Sequence, residues 1–241
     1  MTALGTPRLH LRSTDSTNER ARALALAGAP HGTLVTASMQ SAGRGRQGRR
    51  WEAPAGSSIL MSLLVRWDEP ELAPRLLPLI AAVAVCDAVG EPARIKWPND
   101  IVTTAPGGGL AKLAGILVEG RPQQRWAVVG IGINVAVRLD ELPAELRGEG
   151  RLAPATLGRD RDAVEPLLAS VLAALEARVG AADHDILGAW AAKDALRGRE
   201  IAWSGGSGVA DGVDGLGRLV VALGDGGRTE LDAGEVHLKV S

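Results

Sequence analysis

The chain has no tyrosine and no phenylalanine, one cysteine, and only four lysines among 241 residues. Each scarcity narrows the reading. Six tryptophans are the only aromatics, so the stacking platforms by which proteins hold single-stranded nucleic acid are few. Cys86 has no partner for an intrachain disulfide, and its setting in the apolar run 81–87 suits a small core residue. No stretch of eighteen apolar residues and no basic leader followed by an apolar segment occurs, so neither a membrane span nor a secretory signal is expected, and a cytoplasmic protein is. Neither sign of charge is in excess: the net charge is −1 and the pI about 6.4, without the basic surplus of a nucleic-acid-binding domain.

What is present suits one domain of ordinary size and a small appendage, with 46% hydrophobic residues to build a core. Asp15-Ser-Thr-Asn-Glu19 precedes an alanine-rich segment, Ser16 and Glu19 have capping-box spacing, and Gly28 supplies a stop, which predicts a first helix with a polar N-terminus open to a ligand. Hydrophobic patterning predicts strands over 33–39 and 58–66, then a buried helix over 72–89 with Pro74 in its first turn, a bend at Pro78 and a stop at Gly90. Further strands are expected over 94–97, 101–104, 113–119 and 126–135, the second and third joined by a glycine-rich turn at 105–110, and helices over 163–179 and 183–192. From Gly198 the composition shifts to short glycine-punctuated strands at 200–204, 208–213, 218–223 and 228–231, a pattern that suits a small β-barrel docked on the core.

Four motifs carry chemistry. Gly43-Arg-Gly-Arg-Gln-Gly-Arg-Arg-Trp51 packs four arginines and three glycines into nine residues, and guanidinium forks beside close-approaching backbone grip carboxylates or phosphates. Its G-x-G-x-x-G spacing matches the dinucleotide fingerprint, but a strand follows where that fold needs a helix, so the Rossmann reading is set aside. In Lys96-Trp-Pro-Asn-Asp100, Asp100 suits either a Mg²⁺ ligand or group that orients an amine, or a simple Asx turn. Lys112 opens an apolar strand, placed to neutralise an anion or merely to snorkel, and Gly115 would let a ligand lie against that strand. Gly130 and Gly132 interrupt another buried strand, and Asn134 carries both the donor and the acceptor that reading a purine edge requires.

Taken in order, Asp15-Ser-Thr-Asn18, Gln40-Ser-Ala-Gly-Arg-Gly-Arg-Gln-Gly-Arg-Arg-Trp51, Lys96-Trp-Pro-Asn-Asp100, Lys112-Leu-Ala-Gly-Ile-Leu117 and Gly130-Ile-Gly-Ile-Asn134 resemble the biotin protein ligases across residues 15–135, and Gly212-Val-Asp-Gly-Leu-Gly217 fits that family's C-terminal domain. The resemblance implies an α/β (α+β) fold: a mixed, largely antiparallel sheet with flanking helices over 1–195 and an SH3-like barrel over 196–241. It implies ATP- and Mg²⁺-dependent activation of biotin as biotinyl-5′-AMP, then transfer to a lysine of the biotin carboxyl carrier domain of acyl-CoA carboxylases.

Ser16, Thr17, Asn18, Gln40, Gly43, Arg44, Gly45, Arg46, Lys112 and Gly115 are the implied biotin contacts. The implied ATP and adenylate contacts are Arg46, Arg49, Trp51, Asn99, Lys112 and Asn134, with either Trp51 or Trp126 as the packing partner of adenine. Arg46, Lys112 and Asp100 are the implied catalytic groups, with Asp100 also the implied Mg²⁺ ligand. Within the loop, Arg44 and Arg46 are expected to face the ligand, Arg50 has no assigned task, and the segment as a whole is expected to close over the reactive anhydride. Lipoate and octanoate ligases share this fold, but the arginine-glycine loop and the Lys96–Asp100 motif favour biotin. A nucleic-acid module would need a basic surface beyond one loop. Some fourteen residues precede Asp15, too few for a DNA-binding domain, so neither repressor function nor nucleic-acid binding is expected. Monomer and homodimer both remain compatible with the resemblance.

Overall fold

The computed structural model describes residues 3–68, 76–105, 108–142, 152–232, 234 and 236–238. Eight strands form one mixed sheet: β1 (Arg8–Leu11), β2 (Leu34–Ala37), β3 (Ser58–Arg66), β4 (Arg94–Lys96), β5 (Asp100–Thr104), β6 (Leu110–Arg121), β7 (Trp126–Asn134) and β8 (Ala153–Pro154). Their spatial order is β1-β2-β3-β7-β6-β5-β4. β1 runs parallel to β2 and β8 parallel to the start of β6, while every other pairing in this sheet is antiparallel.

The two faces of this sheet are made of different residues. Strand side chains alternate between faces, and on one face Ile59, Met61, Leu63 and Val65 of β3 join Val129, Ile131 and Ile133 of β7 and Ile95 and Ile101 in the main core. Three helices cover that face: α2 (Leu77–Val89), α3 (Val164–Val179) and α4 (Asp183–Ala191). α2 packs against both the sheet and the other two helices, so Ala81 to Cys86 are 0–1% exposed all round. Burial pushes the Cys86 thiol up to about 12, which leaves it an inert core group.

The opposite face is covered only in part, by α1 (Thr17–Leu26), whose Ala21 and Ala25 pack on Val35, Leu64, Trp126 and Val128. Beyond the helix the same face turns to small and polar residues: Ser62 on β3, Gly130, Gly132 and Asn134 on β7, and Gly115 on β6.

A second sheet follows, β9 (Glu200–Trp203), β10 (Gly206–Val213), β11 (Leu219–Ala222), β12 (Arg228–Leu231) and β13 (His237–Leu238), in the order β12-β11-β10-β9-β13 and antiparallel throughout. Among the described residues β12 and β13 do not pair, so the expected small barrel is here an open sheet. Its Ile201, Ala210, Leu219, Val221 and Val236 join the main core, and one hydrogen bond ties it to the first sheet. Trp97 is 1% exposed and its indole Nε1–H donates to the Gly217 carbonyl at 3.1 Å. Gly217, at φ +79°, leaves room for Leu76 and Leu79 at the start of α2, which a Cβ there would meet at 3.3 Å.

The structure corrects several sequence expectations. β1 was not expected, because four residues with an exposed, alternately basic pattern become a strand only through their partner β2. Pro78 occupies the first turn of α2, where its missing N–H is harmless, and it does not bend the helix. Pro74 and the beginning of the 72–89 expectation lie outside the described residues, as do Pro106 and Gly107 of the 105–110 turn. The capping box does not form. Ser16 stands at the N-cap with no side-chain cap bond, and the Thr17 N–H is met instead by Gln40 Oε1 at 2.7 Å.

Candidate active site

A cavity of about 660 Å³ opens where α1 leaves the sheet uncovered, a size common for small-molecule sites. Every site residue expected from the sequence lines it except Gly43 and Trp126. Gly43 has a different task. Residues 43–51 form a tight hairpin, with Trp51 N–H donating to Gly43 O at 3.0 Å and Gly45 N–H to Arg49 O at 2.7 Å, and a side chain at Gly43 would clash with the Trp51 carbonyl. Gln47 (φ 55°) and Gly48 (φ 73°) make its left-handed tip, and no helix follows, so the dinucleotide reading fails on geometry.

One end of the cavity is neutral and internally bonded. Gln40 Oε1 accepts from both the N–H and the hydroxyl of Thr17 at 2.7 and 3.0 Å. The fully buried Ser62 hydroxyl lies 2.8 Å from Thr17 Oγ1 and 2.5 Å from Asn18 Oδ1, so it ties the first turn of α1 to β3. Asn18 Nδ2 donates to Glu119 Oε2 at 2.9 Å and to Leu117 O at 3.3 Å, and Gly130 is glycine because a Cβ there would fall on the Asn18 amide. Asn18 therefore braces the cavity wall. Ser62 and Glu119 were not singled out in the sequence, although a serine inside the apolar run of β3 was the available signal.

The other end is rich in cations. Lys112 Nζ lies 2.6 Å from Asp100 Oδ1 and 5.8 Å from the centroid of the Trp51 ring. A register shift explains how Lys112 reaches this face. Ile101 pairs with Ala114 but Val102 pairs with Lys112, so Leu113 is the extra residue of a bulge. Leu113 and Ala114 both enter the core, and Lys112 is re-aimed into the cavity.

Arg46 donates to Asn99 Oδ1 at 3.4 Å, and burial lowers its pKa with Asp100 opposing. Asn99 is itself anchored, donating to Ile116 O at 2.9 Å. Arg49 and Gly45 also line this end. Arg44, expected to face a ligand, turns its guanidinium to Glu19 and, at 3.0 Å, to Glu119. Those pairs take Glu19 out of the capping box and latch the hairpin to α1 and β6. Arg50, which had no expected task, donates to Ser41 O at 2.7 Å.

Trp51 lies flat on the glycines. A Cβ at Gly132 would come within 2.5 Å of the indole and one at Gly115 within 3.1 Å. Its Nε1–H is buried and has no partner among the described residues. Asn134 donates to Ala155 O at 2.9 Å and accepts from Ser58 at 3.4 Å, which fixes its amide with one N–H to spare. Lys96 was missed as a site residue. It is 6% exposed, lines the cavity, and burial holds its pKa below the usual lysine range, with Asp100 opposing and Lys112 and Arg49 reinforcing the effect.

Asp100 suits Mg²⁺. Its Oδ1 is buried and meets Lys112 as an ion pair without a hydrogen bond, which leaves lone pairs for a hard cation. Among the described residues no group of three or more His, Cys, Asp or Glu side chains could hold a metal. The donor set therefore fits a cation that arrives with phosphate oxygens better than a resident one. No helix among the described residues is long and apolar enough to cross a membrane.

Residues 10–135 match the biotin/lipoate A/B protein ligase family model. The chain is 37% identical over 246 residues to a biotin–[acetyl-CoA-carboxylase] ligase of Paracoccus denitrificans, covering 94% of this chain and 98% of that protein. It is 43% identical over 139 residues to the bifunctional ligase/repressor BirA of Bacillus spizizenii, a match that takes in 55% of this chain and 41% of that protein. Among solved structures, the biotin protein ligase of Aquifex aeolicus in complex with biotin and ATP superposes with a TM-score of 0.78 at 27% identity, over 98% of this chain and 100% of that one.

Proposed function

The chain belongs to the biotin/lipoate A/B protein ligase family, and we propose that within it the protein is a biotin protein ligase. It joins biotin to ATP as biotinyl-5′-AMP and passes the biotinyl group to a lysine of a biotin carboxyl carrier domain. The observation that carries this reading is the division of one cavity into a neutral hydrogen-bonding end and a cationic end, with Trp51 on a glycine floor between them.

The neutral end suits a ureido ring, which needs a few fixed donors and acceptors: Ser16, Thr17 and Gln40, held from behind by Ser62 and Asn18. The valeryl chain runs from this end past the Trp51 edge toward Lys112. In the first step a biotin carboxylate oxygen attacks the α-phosphorus, a carbon–oxygen–phosphorus link forms, and the bond to pyrophosphate breaks with its electron pair leaving on pyrophosphate. Two anions must meet, and Arg46, Arg49 and Lys112 offset their repulsion and the charge that develops. Asp100 would hold a Mg²⁺ that arrives with the nucleotide, and the ion would supply charge neutralisation. Adenine stacks on Trp51, and the spare Asn134 N–H reads its edge.

In the second step the neutral amine of the carrier lysine attacks the anhydride carbonyl, the amide carbon–nitrogen bond forms, the carbon–oxygen bond to AMP breaks with its electron pair leaving on AMP, and the amine's proton passes to solvent. No residue acts as a covalent nucleophile, and catalysis is positioning and electrostatics. The 43–51 hairpin closes the site against water, which would hydrolyse the anhydride.

Biotin-dependent pyrophosphate exchange, followed by transfer of labelled biotin to a carrier domain, tests the proposal, with lipoate run in parallel. Exchange with biotin and transfer to the carrier lysine are expected. Exchange driven by lipoate and absent with biotin would overturn it.

A further inference from the structure

The structure assigns Lys96 a part in this reaction that its motif alone does not give: it grips the pyrophosphate that leaves in the first step. The inference rests on the ligase reading above and adds a catalytic residue to it.

Four residues stand in one row across the sheet. Gly132 on β7 pairs with Gly115 on β6, Gly115 pairs with Asp100 on β5, and Asp100 pairs with Lys96 on β4. Directly paired residues project to the same face, and all four line the cavity. With strands about 4.8 Å apart, Lys96 lies about 10 Å from Gly115 and about 14 Å from Gly132. The row is ordered chemically as well. Trp51 covers the two glycines, the Lys112–Asp100 pair comes next, and Lys96 ends the row at the last strand. A nucleotide whose base stacks on Trp51, and whose reacting phosphorus sits at Lys112, runs its β- and γ-phosphates toward Lys96.

Charge balance points the same way. Asp100 is the acid beside Lys96, and it is taken by Lys112 at 2.6 Å. Arg44 is held by Glu19 and Glu119, and Arg50 donates to a backbone carbonyl. Among the described residues the Lys96 ammonium has neither a hydrogen bond nor a carboxylate within 4.0 Å. A lysine this buried is rarely left uncompensated. An anion from the ligand completes it, and the departing pyrophosphate, which gains negative charge as the α-phosphorus to oxygen bond breaks, is the anion nearest this end of the row. Stabilising that charge as it develops accelerates the step.

The test separates the two half-reactions. With K96M, biotin-dependent pyrophosphate exchange is expected to fall about 100-fold and pyrophosphate binding by calorimetry about tenfold or more. Biotin affinity, and transfer to the carrier from supplied biotinyl-5′-AMP, should stay within about threefold of wild type. K96R should recover much of the exchange, because it restores the cation. Exchange by K96M at the wild-type rate would overturn the assignment while leaving the ligase reading intact, and so would an equal fall in both half-reactions. If K96M does not fold, K96Q takes its place, and insolubility of both would show that the ammonium serves the fold. A wild type with no biotin-dependent exchange would sink the ligase reading and this inference together.

Discussion

The two faces of the eight-stranded sheet share the same backbone and the same hydrogen bonds, yet they are built for opposite ends. On the helical face, positions 59, 61, 63 and 65 of β3 are all large and apolar and almost wholly buried. One residue along, the cavity face reads Ser58, Leu60, Ser62 and Leu64, and across from it on β7 stand Asn134, Gly132, Gly130 and Val128. The first face gains its free energy by filling space. The second gives up that gain at Gly130, Gly132 and Gly115 to admit Asn18, Trp51 and a ligand. Stability and activity should therefore respond to different residues one position apart.

The largest effect is expected at the charged end of the cavity. Lys112→Met should lower biotin-dependent pyrophosphate exchange about 1000-fold while the circular dichroism spectrum stays that of the wild type. Exchange at the normal rate would mean that the charge on this face is incidental.

Leu63→Ala probes the other face. It should cost about 2–5 kcal/mol in urea denaturation with the KM values for biotin and ATP unchanged per folded molecule, and a large KM shift would deny that the faces are separable.

On the glycine floor, Gly132→Val forces the Trp51 indole off its seat. Overpacking of about 1–3 kcal/mol should appear as about 10- to 100-fold weaker ATP binding, with biotin binding less affected.

At the neutral end, Ser62→Ala removes the hydroxyl between Thr17 and Asn18. About tenfold weaker biotin binding by calorimetry is expected, with kcat nearly unchanged.

The smallest effect serves as a reference for charge in open solvent. Arg8 meets Glu165 bidentately at 2.7 and 2.8 Å, outside the cavity and largely exposed, and the hydrogen bonds from Arg8 hold the Glu165 carboxyl below the usual range. A carboxyl lowered in the folded state stabilises above its unfolded pKa, and that contribution is lost as pH falls through the folded value. Glu165→Gln should therefore cost under about 1 kcal/mol at pH 7, and the gap between variant and wild type should close as the pH falls through the lowered folded-state pKa of Glu165.

Much of this division was readable from the chain alone, for physical reasons. β3 announces itself because a buried central strand is a continuous apolar run, and β7 because glycines inside such a run have few other uses. The motif residues could be assigned together because they recur in an order that resembles a known family. What could not be read is what depends on distant partners. Glu19 has capping-box spacing, but the charge of Arg44, twenty-five positions away, outweighs one local hydrogen bond. Lys112 reaches the cavity by way of a bulge at Leu113 that no local pattern signals. Lys96 looks like a strand-end lysine until β5, β6 and the hairpin have closed around it.

The hydrogen bond from Trp97 to the Gly217 carbonyl joins residues 120 positions apart. Trp97 directly follows Lys96, so the backbone that aims this cation is braced by a turn of the second sheet. A change in the turn around Gly217 would therefore disturb the seat of the indole, and through it the strand that carries Lys96. The stiffness of the cavity's cationic edge is in this way borrowed from a part of the chain that does not line it at that point.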